Sequence, residues 1–190
     1  MNLIVNKVLQ YMKPEEWSEV EMMKMKLGLQ VLIHDFVMIG FILVLAGYLE
    51  IFTEAVILFT GYGLLKVTAG GIHFKKSLLC LLSTSTFIVM GTFVAEHIEL
   101  AFYQILCMYL VCMAVLWIVA PQGTQNNPIS QEKYDRLKRD TMIISYTYLL
   151  ITIYEYMTEV KISYFLLVAI VFETISLLPG RLLCRERKNI

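Results

Sequence analysis

Charged residues are scarce in this chain of 190 residues. Only 17% of the residues are charged and 58% are hydrophobic, whereas soluble domains average about 25% charged and about 45–50% apolar residues. The sequence also lacks the alternating apolar and polar pattern of membrane β-strands. These shortages exclude an ordinary soluble domain and a barrel, and they favour a helical membrane protein.

An excess of basic charge is missing too, because 16 basic residues balance 16 acidic ones; we therefore expect no nucleic-acid partner. The four cysteines show no paired spacing, which argues against a disulfide framework. They are Cys80, Cys107, Cys112 and Cys184. No spacing of histidines and cysteines matches a zinc site, so we predict no metal and no cofactor. The charged first 26 residues predict no signal peptide.

Long apolar runs fill most of the chain. A helix of about 20 apolar residues crosses the hydrocarbon core of a bilayer, and a helix satisfies its own backbone groups there. The runs predict an all-α, polytopic integral membrane protein with about six transmembrane helices. They are Leu27–Leu49, Ile51–Leu65, Leu78–Ala95, Leu100–Ala120, Met142–Tyr156 and Ile162–Pro179. The second run is short and contains two glycines, so we expect it to tilt, kink or only partly span.

The distribution of basic residues predicts the orientation of these helices. With six crossings and both termini in the cytoplasm, every basic residue except Lys161 lies on the cytoplasmic side. The predicted outer turns are then acidic, with Glu50, Glu54, Glu96, Glu99, Glu155 and Glu159. Four full spans with two re-entrant segments would preserve the same asymmetry.

Three parts of the chain are expected to differ in their relation to the membrane. Residues 1–26 form an N-terminal segment whose apolar and polar residues separate on a helical wheel, as in a helix that lies in the membrane interface. Such a helix acts as a topological anchor or as a surface that grips a partner peptide. Residues 27–179 form the transmembrane domain, with cytoplasmic loops at 66–77 and 121–140, and residues 180–190 form a basic cytoplasmic tail.

Reactive side chains concentrate between the second and third apolar runs. His73 precedes Cys80, which lies one turn inside the third run, and Lys75 and Lys76 add positive charge. A cysteine attacks as the thiolate, which nearby cations and a helix N-terminus stabilise, and a histidine can serve as its base. In a continuous helix the two residues would lie roughly 10 Å apart along the axis. His73 must therefore lie on a bent segment, which Gly70-Gly71 would allow.

Both residues also have ordinary interpretations. A cysteine in a membrane helix is most often a small packing residue, and a lone histidine beside a membrane is most often a loop residue. Thr68, Ser77 and Ser83 are candidates for a third catalytic residue, although such residues usually bond their own helix. Glu173 is a carboxylate within an apolar run, where it would be protonated, bond a neighbouring helix or reach the site.

Four stretches, in order and spacing, resemble the AgrB (accessory gene regulator B) family of membrane peptidases in bacterial quorum sensing. The stretch from Gly70 to Cys80 resembles the active-site signature of the family. The other three resemble the start of its first span, its central cytoplasmic loop and its final span; they are Met25–Leu32, Ala120–Ile129 and Glu173–Pro179.

The resemblance implies a cysteine endopeptidase in the bacterial plasma membrane, with its active site facing the cytoplasm. In the family, the cysteine cuts an amphipathic propeptide, AgrD, near its acidic C-terminal tail and retains the rest as an acyl-thioester. An internal cysteine or serine of the propeptide then closes a thiolactone or lactone ring. The resemblance further implies a homodimer, an AgrD-like propeptide as substrate, Cys80 as the nucleophile and His73 as its base.

Supporting residues follow from the same resemblance. Gly71 matches a glycine just before the histidine, and Lys66 lies where related chains carry arginine. We expect Gly70, Gly71 and Lys66 to support the oxyanion. The candidates for binding the acidic propeptide tail are Lys75, Lys76, Lys133, Arg136, Lys138 and Arg139. Some relatives carry a run of lysines where this chain has Gln125-Asn126-Asn127, so we expect that contact to have moved to the basic residues at 133–139.

Two other functions remain open on the sequence. A small peptide exporter would show an inverted repeat and a charged pathway at the membrane midplane, and neither is visible here. A non-catalytic membrane scaffold would have no need of Cys80.

Overall fold

The structure is a computed structural model that describes residues 18–70, 77–122, 130–156 and 162–186. Those ranges form six helices, and their only extended contact is an isolated bridge between Gly70 and Gln122. The helices are α1 (Glu19–Tyr48), α2 (Phe52–Ala69), α3 (Ser77–His97), α4 (Phe102–Val119), α5 (Gln131–Tyr156) and α6 (Ile162–Glu186). The prediction of an all-α protein is confirmed for this part of the chain. The predicted interfacial helix lies mostly outside the described residues.

Within the residues that the structure describes, four helices are long and apolar enough to cross a membrane. They include Val20–Tyr48, Phe52–Ala69, Leu78–His97 and Phe102–Val119. The second apolar run is thus an unbroken helix of 18 residues, and its two glycines do not interrupt it. The sixth run contains a shorter apolar stretch, Ile162–Leu178. The total of six spans and their orientation stay predictions.

Several helices extend beyond the boundaries of the predicted spans: α1 begins at Glu19, and α2 continues to Ala69, so that the first four residues of the predicted loop 66–77 are helical. Residues 131–140, expected to belong to a polar loop that ends in a short helix, are continuous with the fifth apolar run in the single helix α5. Most of these residues are good helix formers, and Arg136 pairs with Asp140 one turn later at 3.9 Å. Helix α6 likewise continues through Pro179 to Glu186.

The chain divides into two compact units, Met1–Tyr48 and Leu49–Ile190. In the first unit, α1 begins with a reciprocal cap. The Ser18 hydroxyl and backbone N–H both donate to the Glu21 carboxylate, at 2.8 Å and 3.0 Å, and the Glu21 N–H donates back to the hydroxyl. This capping box satisfies backbone groups that the first turn leaves free.

Helix α6 is the central element of the second unit, because it packs against α2, α3, α4 and α5. Its side chains are therefore buried on more than one face, with Ala169, Ile170 and Leu177 fully enclosed. A helix that is apolar around most of its circumference is expected at such a position. The start of α6 is fixed by Glu155 of α5, whose carboxylate accepts the Ser163 N–H.

Polar side chains join the helices of this unit at membrane depth. The Tyr148 hydroxyl donates to the Gly61 carbonyl at 2.8 Å, which joins α5 to α2. The Thr152 hydroxyl donates to Tyr109 at 3.1 Å, which joins α5 to α4. With no water in the hydrocarbon core, such groups must find partners within the protein.

Gly91 of α3 allows three helices to approach closely. A Cβ atom there would lie 2.9 Å from Leu58 of α2 and 3.2 Å from Val168 of α6. We predict that Gly91→Leu destabilises the protein by about 1–3 kcal/mol through overpacking. The measurement is the thermal midpoint of unfolding of the purified chain in detergent. It is read from the loss of the monodisperse peak in size-exclusion chromatography after heating.

Gly63→Leu is the matched control. Gly63 lies in α2, and a Cβ atom there would meet no other atom within 4 Å. An equal drop in the midpoint for both variants would show that the effect is one of glycine replacement in general and not of the α2–α3–α6 contact.

Candidate functional site

Cys80 lies in the first turn of α3, as the sequence predicted, and its side chain is half-buried. The thiol thus lies near a helix N-terminus, where the helix dipole favours an anion. The hydroxyls of Ser83 and Thr68 bond their own helices: Ser83 donates to the Cys80 carbonyl at 3.1 Å, and Thr68 donates to the Leu64 and Leu65 carbonyls at 3.2 Å each. These two bonds match the ordinary interpretation of both residues.

The predicted base and several of its neighbours lie outside the described residues. These are His73, Gly71, Lys75 and Lys76. Their catalytic and substrate-binding roles therefore stay predictions. Within the described residues no group of three or more metal-binding side chains occurs.

Gly70 ends α2 in a conformation that suits only glycine. Its φ is 83° and its ψ is −130°, a region that side chains with a Cβ avoid. Its N–H donates to the Lys66 carbonyl at 3.1 Å. The Gly70 N–H, which the sequence suggested as an oxyanion donor, is therefore already engaged in closing the helix.

Gln122 fastens the start of the central loop to both α2 and α6. Its N–H donates to the Ala69 carbonyl at 2.9 Å, and its side-chain amide donates to the Leu177 carbonyl at 2.8 Å. We call these two bonds, together with the Gly70–Gln122 bridge, the Gln122 clasp. Gln122 was not singled out in the sequence, because nothing local marks a residue whose partners lie on distant helices.

A cluster of polar side chains brings together α2, α3 and α6. Glu173 lies within electrostatic range of Lys66, and Tyr62 lies within range of both Glu173 and Cys80. The Lys66 ammonium lies over the Tyr62 ring, 5.7 Å from its centre. We call Tyr62, Lys66, Glu173 and Cys80 the polar cluster. Among the described residues the Glu173 carboxylate accepts a hydrogen bond from Ser176 of its own helix and from no neighbouring helix, and its contact with the site stays a prediction.

Aromatic packing holds Tyr62 in place within this cluster. Its ring centre lies 5.0 Å from that of Phe87 on α3 and 5.4 Å from that of Phe172 on α6. Phe87 and Phe172 also stack on each other. Such ring pairs add stabilisation beyond the burial of their area, so the Tyr62 hydroxyl has little freedom to move.

An apolar cavity of about 750 Å³ borders the site and extends along α3 and α6. Leu79 and Ser83, on either side of Cys80 in the sequence, form part of its wall, and Val171 and Ile175 form the opposite side. Its lining suits a lipid chain or the apolar face of a peptide.

The basic residues at the start of α5 already have partners within the protein. Arg136 and Arg139 pair with Asp140 at 3.9 Å and 3.6 Å, on side chains that are largely exposed. The Lys138 ammonium lies 4.6 Å from the centre of the Trp117 ring on α4. Exposed ion pairs are weak, commonly below about 1 kcal/mol, so they would release the arginines to an acidic ligand at little cost.

These features define a helical membrane protein with a thiol beside a buried acid–base cluster. The family model described as Accessory gene regulator B matches residues 2–177. The chain therefore belongs to the AgrB family, which acts in accessory gene regulation, a form of quorum sensing, and the resemblance seen in the sequence is confirmed.

Curated relatives match along nearly the whole chain. A putative AgrB-like protein of Clostridium acetobutylicum is 24% identical over 90% of this chain and 82% of its own length. Accessory gene regulator protein B of Staphylococcus aureus is 26% identical over 94% and 96%, and that of Staphylococcus epidermidis is 23% identical over 94% and 93%. No solved structure matches this chain.

The Gln122 clasp leads to a prediction for Gly70. A Cβ atom on Gly70 would lie 2.3 Å from the Gln122 carbonyl oxygen, which is backbone and cannot turn away. We predict that Gly70→Ala destabilises the chain by more than the roughly 1–2 kcal/mol of the left-handed backbone alone. Gln122→Ala, which removes one hydrogen bond, should cost only about 1 kcal/mol. Thermal midpoints in detergent measure both.

Gly63→Ala serves as the control for Gly70→Ala, because alanine within α2 should be neutral or slightly stabilising. A Gly70→Ala midpoint equal to that of the control would contradict the close approach of Gly70 and Gln122.

Proposed function

We propose that this chain is a membrane cysteine endopeptidase that removes the C-terminal tail of an autoinducing-peptide precursor and promotes its cyclisation. The observation that carries the proposal is the position of Cys80: a half-buried thiol in the first turn of a helix, within electrostatic range of Tyr62, in a chain of the AgrB family. A packing cysteine has no need of an acid–base cluster, whereas a nucleophile does.

The first chemical step forms an acyl-thioester. With His73 as the base, the Cys80 thiolate attacks the scissile carbonyl carbon, and the new C–S bond places a negative charge on the carbonyl oxygen. The C–N bond then breaks, and the leaving amine of the tail takes the proton that His73 holds. The tail peptide leaves, and the rest of the propeptide stays bonded to the Cys80 sulfur as a thioester.

The second step closes the ring. An internal thiol or hydroxyl of the propeptide loses its proton to His73 and attacks the thioester carbonyl, which expels the Cys80 thiolate. Exchange of one thioester for another is close to energy-neutral, so this step depends mainly on holding the two groups together. Water would hydrolyse the intermediate, and a site at the membrane interface keeps water away.

Charged groups complete the proposed site. Lys66 would stabilise the oxyanion of each tetrahedral intermediate, and the basic residues at the start of α5 would attract the acidic tail of the propeptide. The same proposal includes cleavage on the cytoplasmic side and assembly as a homodimer. It also includes a product whose ring is closed as a thiolactone or a lactone.

The test co-expresses the chain with its candidate propeptide, which should be a small amphipathic open reading frame. We predict that Cys80→Ala abolishes release of the tail and that His73→Ala slows it by about 10²–10⁴-fold, the usual contribution of a general base. Mass spectrometry of the propeptide measures the cleavage, and a thioester adduct on Cys80 of the unaltered chain identifies the intermediate.

Cys107→Ala is the matched control, since Cys107 is an exposed cysteine of α4 away from the cluster; its cleavage rate should equal that of the unaltered chain, at equal membrane levels. Tail release that persists in Cys80→Ala would rule out the peptidase. A peptide exporter or a non-catalytic scaffold would then be the function to pursue.

A further inference from the structure

Gln122 joins three parts of the second unit that are far apart in the sequence. It stands at the start of the central loop, and its backbone N–H donates to the Ala69 carbonyl at the end of α2 at 2.9 Å. Its side-chain amide donates to the Leu177 carbonyl of α6 at 2.8 Å, across 55 positions of the chain. Through this one residue the end of α2 is therefore bonded, by way of the loop, to the central helix of the unit.

The Gln122 clasp fixes the residue from which the proposed catalytic segment begins. Gly70 follows Ala69 directly, pairs with Gln122 in the isolated bridge, and donates its N–H to the Lys66 carbonyl at 3.1 Å. Glycine has more accessible backbone conformations than any other residue, so a free Gly70 would let the chain leave α2 in many directions. The bonds of the clasp select one of them.

The direction in which the chain leaves α2 matters for the proposed chemistry. His73, the proposed base, follows Gly70 by three residues, so chain connectivity keeps their Cα atoms within about 11 Å of each other. Cys80 lies in the first turn of α3, a helix that packs against α6. The clasp is bonded to α6 as well, through Leu177. The origin of the segment and the helix that carries the thiol are thus both held by α6.

We propose that Gln122 is a positioning residue of the peptidase site, which holds Gly70 against α6 and so sets the point from which the chain leads to His73. The inference rests on the proposed peptidase function and deepens it. Gln122 touches no reacting atom in this role. Proton transfer requires heavy atoms about 3 Å apart, and a misplacement of about 1 Å by a distant substitution can slow a reaction about 100-fold.

A second hydrogen bond of the chain shows what a purely structural role would look like. The Tyr148 hydroxyl donates to the Gly61 carbonyl, also at 2.8 Å, and joins α5 to the middle of α2. Both bonds connect distant parts of the unit, but only the bond of Gln122 lies where the proposed catalytic segment begins. Removal of either bond should lower stability, whereas only removal of the Gln122 bond should impair catalysis.

The first measurement is kcat for tail release by the full chain in lipid nanodiscs, with a synthetic form of the propeptide. Gln122→Met keeps the length of the side chain and the backbone contacts but lacks the amide donor. We expect its kcat to fall by about 10–100-fold. Tyr148→Phe is the matched control, with an unchanged kcat and a comparable drop in thermal midpoint. A normal kcat in Gln122→Met, or an equal loss in Tyr148→Phe, would overturn the positioning role.

The second measurement needs no propeptide, and its sign separates positioning from a general loosening of the fold. It is the rate at which iodoacetamide alkylates Cys80 at neutral pH, followed by mass spectrometry of the peptide that carries this residue. A histidine beside a cysteine increases the thiolate fraction, so Gln122→Met should lower the rate toward that of His73→Ala. A loosened bundle would expose the half-buried thiol and raise the rate, which would contradict the inference.

A double-mutant cycle tests whether Gln122 acts through His73. In the His73→Ala background, Gln122→Met should lower the alkylation rate no further, because the residue that it positions is gone. Losses that multiply would show an independent effect and overturn the inference. If Gln122→Met does not accumulate in the membrane, Gln122→Asn replaces it in every measurement, because its amide is one methylene too short to reach the Leu177 carbonyl.

Failure of this inference and failure of the peptidase function are distinguishable. Normal tail release and normal alkylation in Gln122→Met, while Cys80→Ala still abolishes cleavage, would overturn the positioning role alone. Tail release that persists in Cys80→Ala would overturn the peptidase itself, whatever the variants of Gln122 do.

Discussion

The constraint on which the second unit depends is that four helices pack against α6. Because α2, α3, α4 and α5 all pack against it, its polar atoms must find their partners among those helices and not in water or lipid. The same arrangement brings together parts of the chain that are far apart in sequence. The end of α2, the first turns of α3 and the start of the central loop come together because each contacts this one helix, through packing or through the Gln122–Leu177 bond. The site is a consequence of that convergence.

The helices could be predicted from the sequence because apolar length is a local property. Each of the six apolar runs lies largely within one helix. The continuity of the first ten residues of α5 with the fifth apolar run was missed because these residues carry charge and resemble a loop, although they are helix formers and adjoin a helical span. Gln122 and Tyr148 were not recognised as connecting residues, since their partners lie 55 and 87 positions away and no local pattern marks such pairs.

The candidate site divides in the same way. Cys80 could be singled out because a histidine and two lysines closely precede it in the sequence, and Glu173 because a carboxylate is conspicuous in an apolar run. Their association through Tyr62 could not be found, because tyrosine is common in this chain, with 11 present, and only the fold selects one of them. Gly70 shows a subtler failure. The sequence suggested flexibility there, but the structure shows a close approach to Gln122, and a fixed backbone with no space for a Cβ atom also requires glycine.

The polar cluster also gives a physical reason why a lysine can serve at position 66. An arginine binds a carboxylate best through two parallel hydrogen bonds, which occupy both oxygen atoms. In Glu173 the Oε2 atom accepts a hydrogen bond from the Ser176 hydroxyl, and the Oε1 atom has no hydrogen-bond partner among the described residues. A lysine ammonium is a compact charge that needs a single contact and can still rest on the Tyr62 ring. A lysine at position 66 therefore keeps a positive charge beside the Tyr62 ring, and that charge is the property that the proposed chemistry at Cys80 would use.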